Sequence, residues 1–236
     1  MTGDASTGDE GLPTGGKGEN ESDGVEPLAW PRVDEAAIPA GEHPLETAWT
    51  LWVDKKSSDR KDQSAYVEGL KQLGTFQTIE QFLRLIAYVK SPSVFPREHS
   101  LLCFRSGCKP MWEEFPDGGC WNYRMRRAST GCEDPVDRAW EDLLMACLGE
   151  AFATPDVVGC VMSSRVKEIA VSVWNASNTA DPEVRFKIGE RMREVLALSP
   201  NALLEYKNHQ SSMQDFSTYR NAQVYIMRPD GSSNKP

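Results

Sequence analysis

The sequence predicts an antiparallel α+β domain, and two patterns predict it. Six short runs, 100–105, 120–127, 158–164, 168–174, 202–207 and 223–228, mostly carry β-branched or aromatic residues at alternating positions and read as strands. Three longer stretches have the 3.6-residue apolar period of helices. So few helices among so many short strands favour antiparallel pairing, with the helices stacked on one sheet face and the other face free for a ligand.

The chain begins with residues 1–42, rich in Gly, Pro, Ser and acids and poor in large apolar side chains. Such a segment cannot offset the entropy of ordering, so a disordered acidic tail is expected there. The domain is expected over 43–228, and "PDGSSNKP" makes 229–236 a flexible end. The first strand is "HPLETAWTLWVD", where Leu45, Trp49, Leu51 and Val53 alternate with Ala48, Thr50 and Trp52. Apolar residues on both sides of a period-2 pattern suit a strand covered on both faces, with its two tryptophans pointing opposite ways. The first helix, "TIEQFLRLIAYVK", opens on a capping-box spacing of Thr78 and Gln81 and puts Ile79, Phe82, Leu83, Ile86 and Val89 on one face. The second, "DRAWEDLLMACLGEAF", repeats that logic with Trp140, Leu143, Leu144, Cys147 and Leu148. The third, "DPEVRFKIGERMREVLALSP", has Asp181 as cap and Pro182 at the first helical position, and it stops before Pro200.

Composition excludes several classes. At 236 residues with 39% apolar content the chain can bury a real core. No stretch approaches the roughly 20 consecutive apolar residues of a membrane helix, and the start lacks a signal-peptide pattern, so a soluble protein is expected. Six cysteines without a CxxC pair and only three histidines leave no zinc-ligand spacing, so no metal or cofactor is expected. Residues 1–42 hold ten acids against Lys17 and Arg32, which is −8 of the net −9. The remaining body is nearly neutral. It would not coat a phosphate backbone, but it can hold one short anionic ligand through a few placed cations.

The loop "KPMWEEFPDGGCW" sets Trp112 beside Glu113, between Pro110 and a turn on Asp117, Gly118 and Gly119. Trp174 ends the strand "IAVSVW". An aromatic face attracts a flat cation, and a carboxylate beside it selects one that carries two donors on an edge. Guanine methylated at its seventh position is such a cation. Trp112 would stack on it and Glu113 would read its ring N–H and amino group. A loop tryptophan closing over the core, with a solvated glutamate beside it, is the alternative at this stage.

"HPLETAWTLW", "FQTIEQF", "KPMWEE", "GGCW", "DRAWEDLLMACLGE" and "IAVSVW", in this order, resemble the cap-binding translation initiation factor 4E family, from about His43 to Arg228. The resemblance implies a single domain, a curved antiparallel sheet with three helices on its convex face and a slot for the 7-methylguanosine cap of mRNA on its concave face. Trp112 and Tyr66 would be the stacking walls, Glu113 the reader of the guanine edge and Trp174 the lining of the methyl group. Tyrosine stands at 66 where the family usually has tryptophan. Arg165 and Lys167 in "SSRVKE" would reach the cap phosphates. Other family cations are replaced here by Ala170, Cys120 and Asp215, so the expectation is either that Arg220 adds a phosphate or RNA contact or that methylated nucleotides beyond the cap add affinity.

The resemblance also implies a peptide-binding surface on the helix side, with His43, Pro44, Leu45, Ile79, Leu83, Glu141, Asp142 and Met145. Leu83 and Glu141 depart from the family's usual residues. The expected partners are capped mRNA and a scaffold factor of the 4G type or a 4E-binding repressor, with the protein a monomer in that complex, in the cytoplasm and also the nucleus. The expected function is cap capture for translation initiation without catalysis, and the alternative is a cap-binding repressor that sequesters mRNA. A cap-hydrolysing enzyme would need metal-binding carboxylates, for which Glu190 and Glu194 are a poor start.

Overall fold

The structure, a computed structural model, describes residues 28–56, 63–127, 135–177, 182–227 and 233–234. Its strands are β1 (Pro44–Lys55), β2 (Leu70–Thr78), β3 (His99–Arg105), β4 (Gly119–Arg126), β5 (Val157–Ser164), β6 (Glu168–Asn175), β7 (Leu203–Asn208), β8 (Gln223–Met227) and the short β9 (Ser233–Asn234). They form one curved sheet in the order β2-β1-β3-β5-β6-β4-β7-β8-β9, with antiparallel pairing throughout. The helices are α1 (Gln63–Gly69), α2 (Ile79–Ile86), α3 (Pro135–Leu148), α4 (Pro182–Val195) and α5 (His209–Asp215).

The three expected helices are α2, α3 and α4. Pro182 opens α4 as read from the sequence, whereas Asp181 lies outside the described residues. At the start of α2 the Thr78 side chain accepts from the Gln81 backbone N–H at 3.1 Å, and the Gln81 side chain reaches back to the N–H of Gln77. These bonds satisfy donors that the first helical turn would otherwise leave open. α1, α5, β2 and β9 were not read from the sequence, and β9 lies within the 229–236 end expected to be flexible.

Side chains from alternate strand positions make two cores. On the helix side Trp49, Leu51, Leu101, Cys103, Trp121, Met162 and Val171 pack against Phe82, Trp140, Leu143, Leu144, Ile188 and Met192. On the other face Leu102, Phe104, Cys120, Val161 and Trp174 form a smaller cluster with Phe115, Trp52 and Trp112. The second face is therefore partly roofed by the 110–118 segment rather than bare.

The boundary placed after residue 42 falls behind a segment that packs on the domain. Trp30 donates to the Pro155 carbonyl at 2.6 Å, and Glu42 accepts from Thr78, Gln81 and Arg84. Residues 1–27 of the expected tail, and Cys132, lie outside the described residues. Among the described residues no helix is long and apolar enough to cross a membrane.

Candidate functional site

The second sheet face holds a cavity of about 600 Å³, within the range of small-molecule sites. Tyr66, Trp112, Glu113, Arg165, Lys167 and Trp174 all line it. Four separate segments bring them there: α1, the 110–118 loop, the β5–β6 turn and β6.

The loop carrying Trp112 is held from three sides. Residues Trp112–Glu114 form a single 3-10 turn, and Tyr66 donates its hydroxyl to the Pro110 carbonyl at 2.7 Å. Burial makes that phenol harder to ionise, so it remains a donor. At the other end Phe115 is buried, and its carbonyl accepts from the Gly118 N–H at 3.0 Å and pairs with His209 Nδ1 at 2.8 Å. Gly118 and Gly119 press directly on the sheet. A Cβ on Gly118 would sit 2.1 Å from the Asn175 carbonyl oxygen, and one on Gly119 2.3 Å from the Tyr206 hydroxyl. Any side chain at either position would lift the turn, and with it the tryptophan. These bonds and close contacts hold Trp112 and Glu113 at the cavity wall.

Trp174 is 6% exposed and packs edge-on to Phe104 at 5.3 Å and against His209 at 4.4 Å. Burial pushes the His209 imidazole down to about 4, so at neutral pH it is uncharged and Nδ1–H is the donor to Phe115. Arg165 starts the β5–β6 turn. Its guanidinium donates to the carbonyls of His99 (3.2 Å) and Ser164 (3.1 Å) and to Ser100 Oγ (3.2 Å). Those bonds fix the plane of the fork and leave other N–H groups for a ligand. Lys167 is exposed at the same turn.

Several lining residues were not anticipated. Lys56 lines the cavity in an ion pair with Glu98, and Lys56 holds the Glu98 carboxyl below its ordinary range. Tyr219 enters from the segment after α5, hydrogen-bonds Ser163 and lies under Arg124, 6.0 Å from guanidinium carbon to ring centroid. That segment is pinned by Lys207, 2% exposed, whose ammonium donates to both Asp215 oxygens (2.7 and 2.6 Å) and to the Ser217 and Arg220 carbonyls. Arg220 itself is exposed and is not among the residues that line the cavity, although Ser217, Thr218 and Tyr219 are. Asp54 is also in the wall. It could have been noticed in "TLWVD", where Thr50, Trp52 and Asp54 share the face opposite Leu51 and Val53.

On the helix side, Ile79 (45% exposed), Leu83 (55%) and Met145 (48%) present apolar side chains to solvent instead of packing into the core. Glu141 is exposed one turn before Met145 on α3, and Asp142 pairs with Arg138 at 3.2 Å. Pro44 is exposed at the start of β1, and Leu45 is half-buried against the core. His43 is fastened to Glu80, its N–H donating to Oε2 at 2.8 Å and its Nδ1 lying 2.7 Å from Oε1.

An open antiparallel sheet with helices on one face and an aromatic, charged cavity on the other defines a class of binding fold. The family model described as Eukaryotic initiation factor 4E matches residues 44–224, and the chain belongs to that family. It is 33% identical over 187 residues to Eukaryotic translation initiation factor NCBP of Triticum aestivum, covering 78% of this chain and 77% of that protein. It is 31% identical over 199 residues to Eukaryotic translation initiation factor 4E-4 of Caenorhabditis elegans, covering 83% and 91%. Among solved structures, C. elegans eIF4E-3 in complex with the 4E-binding protein Mextli superposes with a TM-score of 0.64 at 29% identity, covering 77% of this chain and 99% of that one. Ascaris suum eIF4E-3 with m7G cap gives 0.62 at 31% identity, covering 73% and 94%.

Proposed function

We propose that this protein binds the 7-methylguanosine cap of mRNA and passes capped mRNA to an initiation scaffold in the cytoplasm, with no chemical step of its own. The observation that carries the reading is the convergence of Tyr66, Trp112, Glu113, Trp174, Arg165 and Lys167 on one cavity. Methylation at N7 makes the guanine ring cationic, and an aromatic face holds such a ring with about 0.5–2 kcal/mol. Trp112 and Tyr66 supply the faces. Glu113 accepts from the ring N–H and the amino group side by side, a charge-assisted pair that the neutral carbonyl edge of another base would not match. Trp174 lines the methyl end, and Arg165 with Lys167 takes the phosphates. Ile79, Leu83 and Met145, with Pro44 and Leu45, offer the apolar anchors that a helical 4E-binding peptide needs.

The test is retention on immobilised 7-methyl-GDP with elution by 7-methyl-GTP. Elution by GTP at the same concentration, or no retention, contradicts the reading. A second reading, a cap-binding repressor that withholds mRNA from the scaffold, is favoured by the smaller Tyr66 wall and by Glu141 beside the exposed Met145. Co-purification of the 4G-type scaffold with the cap-bound protein separates the two, since only the initiation reading requires it.

A further inference from the structure

Asp54 is the feature of the cavity that the cap-binding reading does not use. It is 6% exposed, it lines the cavity, and its Oδ1 is buried without a hydrogen-bond partner. An unmet carboxylate oxygen in such a place is costly and calls for a donor. No wall side chain bonds it: Lys56 is paired with Glu98, the bonded N–H groups of Arg165 go to His99, Ser164 and Ser100, and Ser100 Oγ also faces Ser163.

Its position says what kind of donor belongs there. Across the sheet Asp54 pairs with Leu70 on one side and Ser100 on the other. Leu70 directly follows α1, the helix that carries Tyr66, and Ser100 is the residue that receives Arg165. Asp54 therefore stands between a stacking wall and the phosphate-facing arginine; burial pushes its carboxyl above the ordinary carboxylate range and the Arg165 charge works against that, while Asp54 adds to the burial that opposes ionisation of Tyr66. In a nucleotide the group between base and phosphates is the sugar. An ionised carboxylate only accepts, and the vicinal hydroxyls of ribose are two donors side by side, whereas phosphate oxygens could only repel it.

We infer that Asp54 reads the sugar of the bound cap nucleotide, accepting from its 2′- and 3′-hydroxyls, so that the cavity selects an unmodified ribose; this rests on the cap-binding reading above. A carboxylate plays the same part toward ribose hydroxyls in dinucleotide-binding folds.

The experiment is a tryptophan-fluorescence titration of wild type, Asp54→Asn and Asp54→Ala with 7-methyl-GTP, its 2′-deoxy and 2′,3′-dideoxy analogues, and GTP. Wild type is expected to prefer the ribose form over the dideoxy form by about tenfold to hundredfold, the worth of hydrogen bonds to a charged group. In Asp54→Ala that preference should vanish, and in Asp54→Asn it should shrink. Equal wild-type affinity for the ribose and dideoxy forms overturns the inference, and it does so even if neither variant folds. Loss of the preference for 7-methyl-GTP over GTP in the variants, with the sugar preference intact, overturns it as well, because Asp54 would then act on the base charge. Failure of wild type to bind 7-methyl-GTP at all would sink the cap-binding reading itself.

Discussion

His209 makes the stability of the cavity's back wall sensitive to acid. It is fully buried, its ring packs on Trp174 at 4.4 Å, and its Nδ1–H donates to the Phe115 carbonyl that holds the Trp112 loop. Burial lowers its ionisation from the ordinary 6.5 to about 4. The folded protein thus resists a proton that the unfolded chain takes up below about pH 6.5. The stabilisation is complete above that pH and is lost as the pH falls toward 4. The separation is equivalent to about 3 kcal/mol in full, and about 2 kcal/mol of it should disappear between pH 7 and pH 4.5. Carboxylates titrate in the same window, so the quantity to measure is the difference between wild type and His209→Gln in urea unfolding at both pH values. Wild type should lose about 2 kcal/mol more than the variant over that interval. An equal loss in both would refute the reasoning, since it would mean that His209 charges freely in the folded state.

Lys207→Met should destabilise the domain by about 3–5 kcal/mol in denaturant melts, because it leaves the Asp215 carboxylate and two carbonyls without their buried cation. It should also make the 209–222 segment the first site of limited proteolysis. Leu83→Asp should change unfolding stability by no more than about 0.5 kcal/mol, the side chain being exposed. The same substitution should weaken binding of a 4E-binding helical peptide by at least about tenfold in calorimetry, as expected for loss of an apolar anchor.

The fold was legible where local patterns and burial agree. Thr78 and Gln81 signalled the start of α2, and the turn-bounded β-branched runs gave β3 to β8 to within about two residues. β2 was missed because "LKQLGTFQT" has only Phe76 fully in the core and Gly74 and two glutamines along it, so propensity argued against a strand that pairing with β1 enforces. α1 and α5 are too short to show an apolar period, and their reason for being is to border the cavity. β3 was read as a strand over 100–105 although Leu101, Leu102, Cys103 and Phe104 show no polar alternation, since both of its faces are covered.

For the site, the Trp112–Glu113 pair was suggestive on chemical grounds alone, whereas Tyr66, Arg165 and Lys167 needed the family resemblance to be linked with it. They come from segments far apart in the chain, and no spacing rule connects them. Lys207 and Tyr219 were invisible because their roles depend on how one loop folds back over the sheet. Arg220 was chosen for its charge; its side chain is exposed, and its carbonyl accepts from Lys207.

The central claim is that Trp112 and Glu113 are presented to hold a cationic methylated guanine. The most direct test is a fluorescence titration with 7-methyl-GTP and GTP in wild type and Trp112→Ala. The account predicts quenching of wild type by the methylated nucleotide at concentrations where GTP has little effect, and loss of that response in Trp112→Ala. Equal responses to both nucleotides, or an undiminished response in the variant, would contradict it.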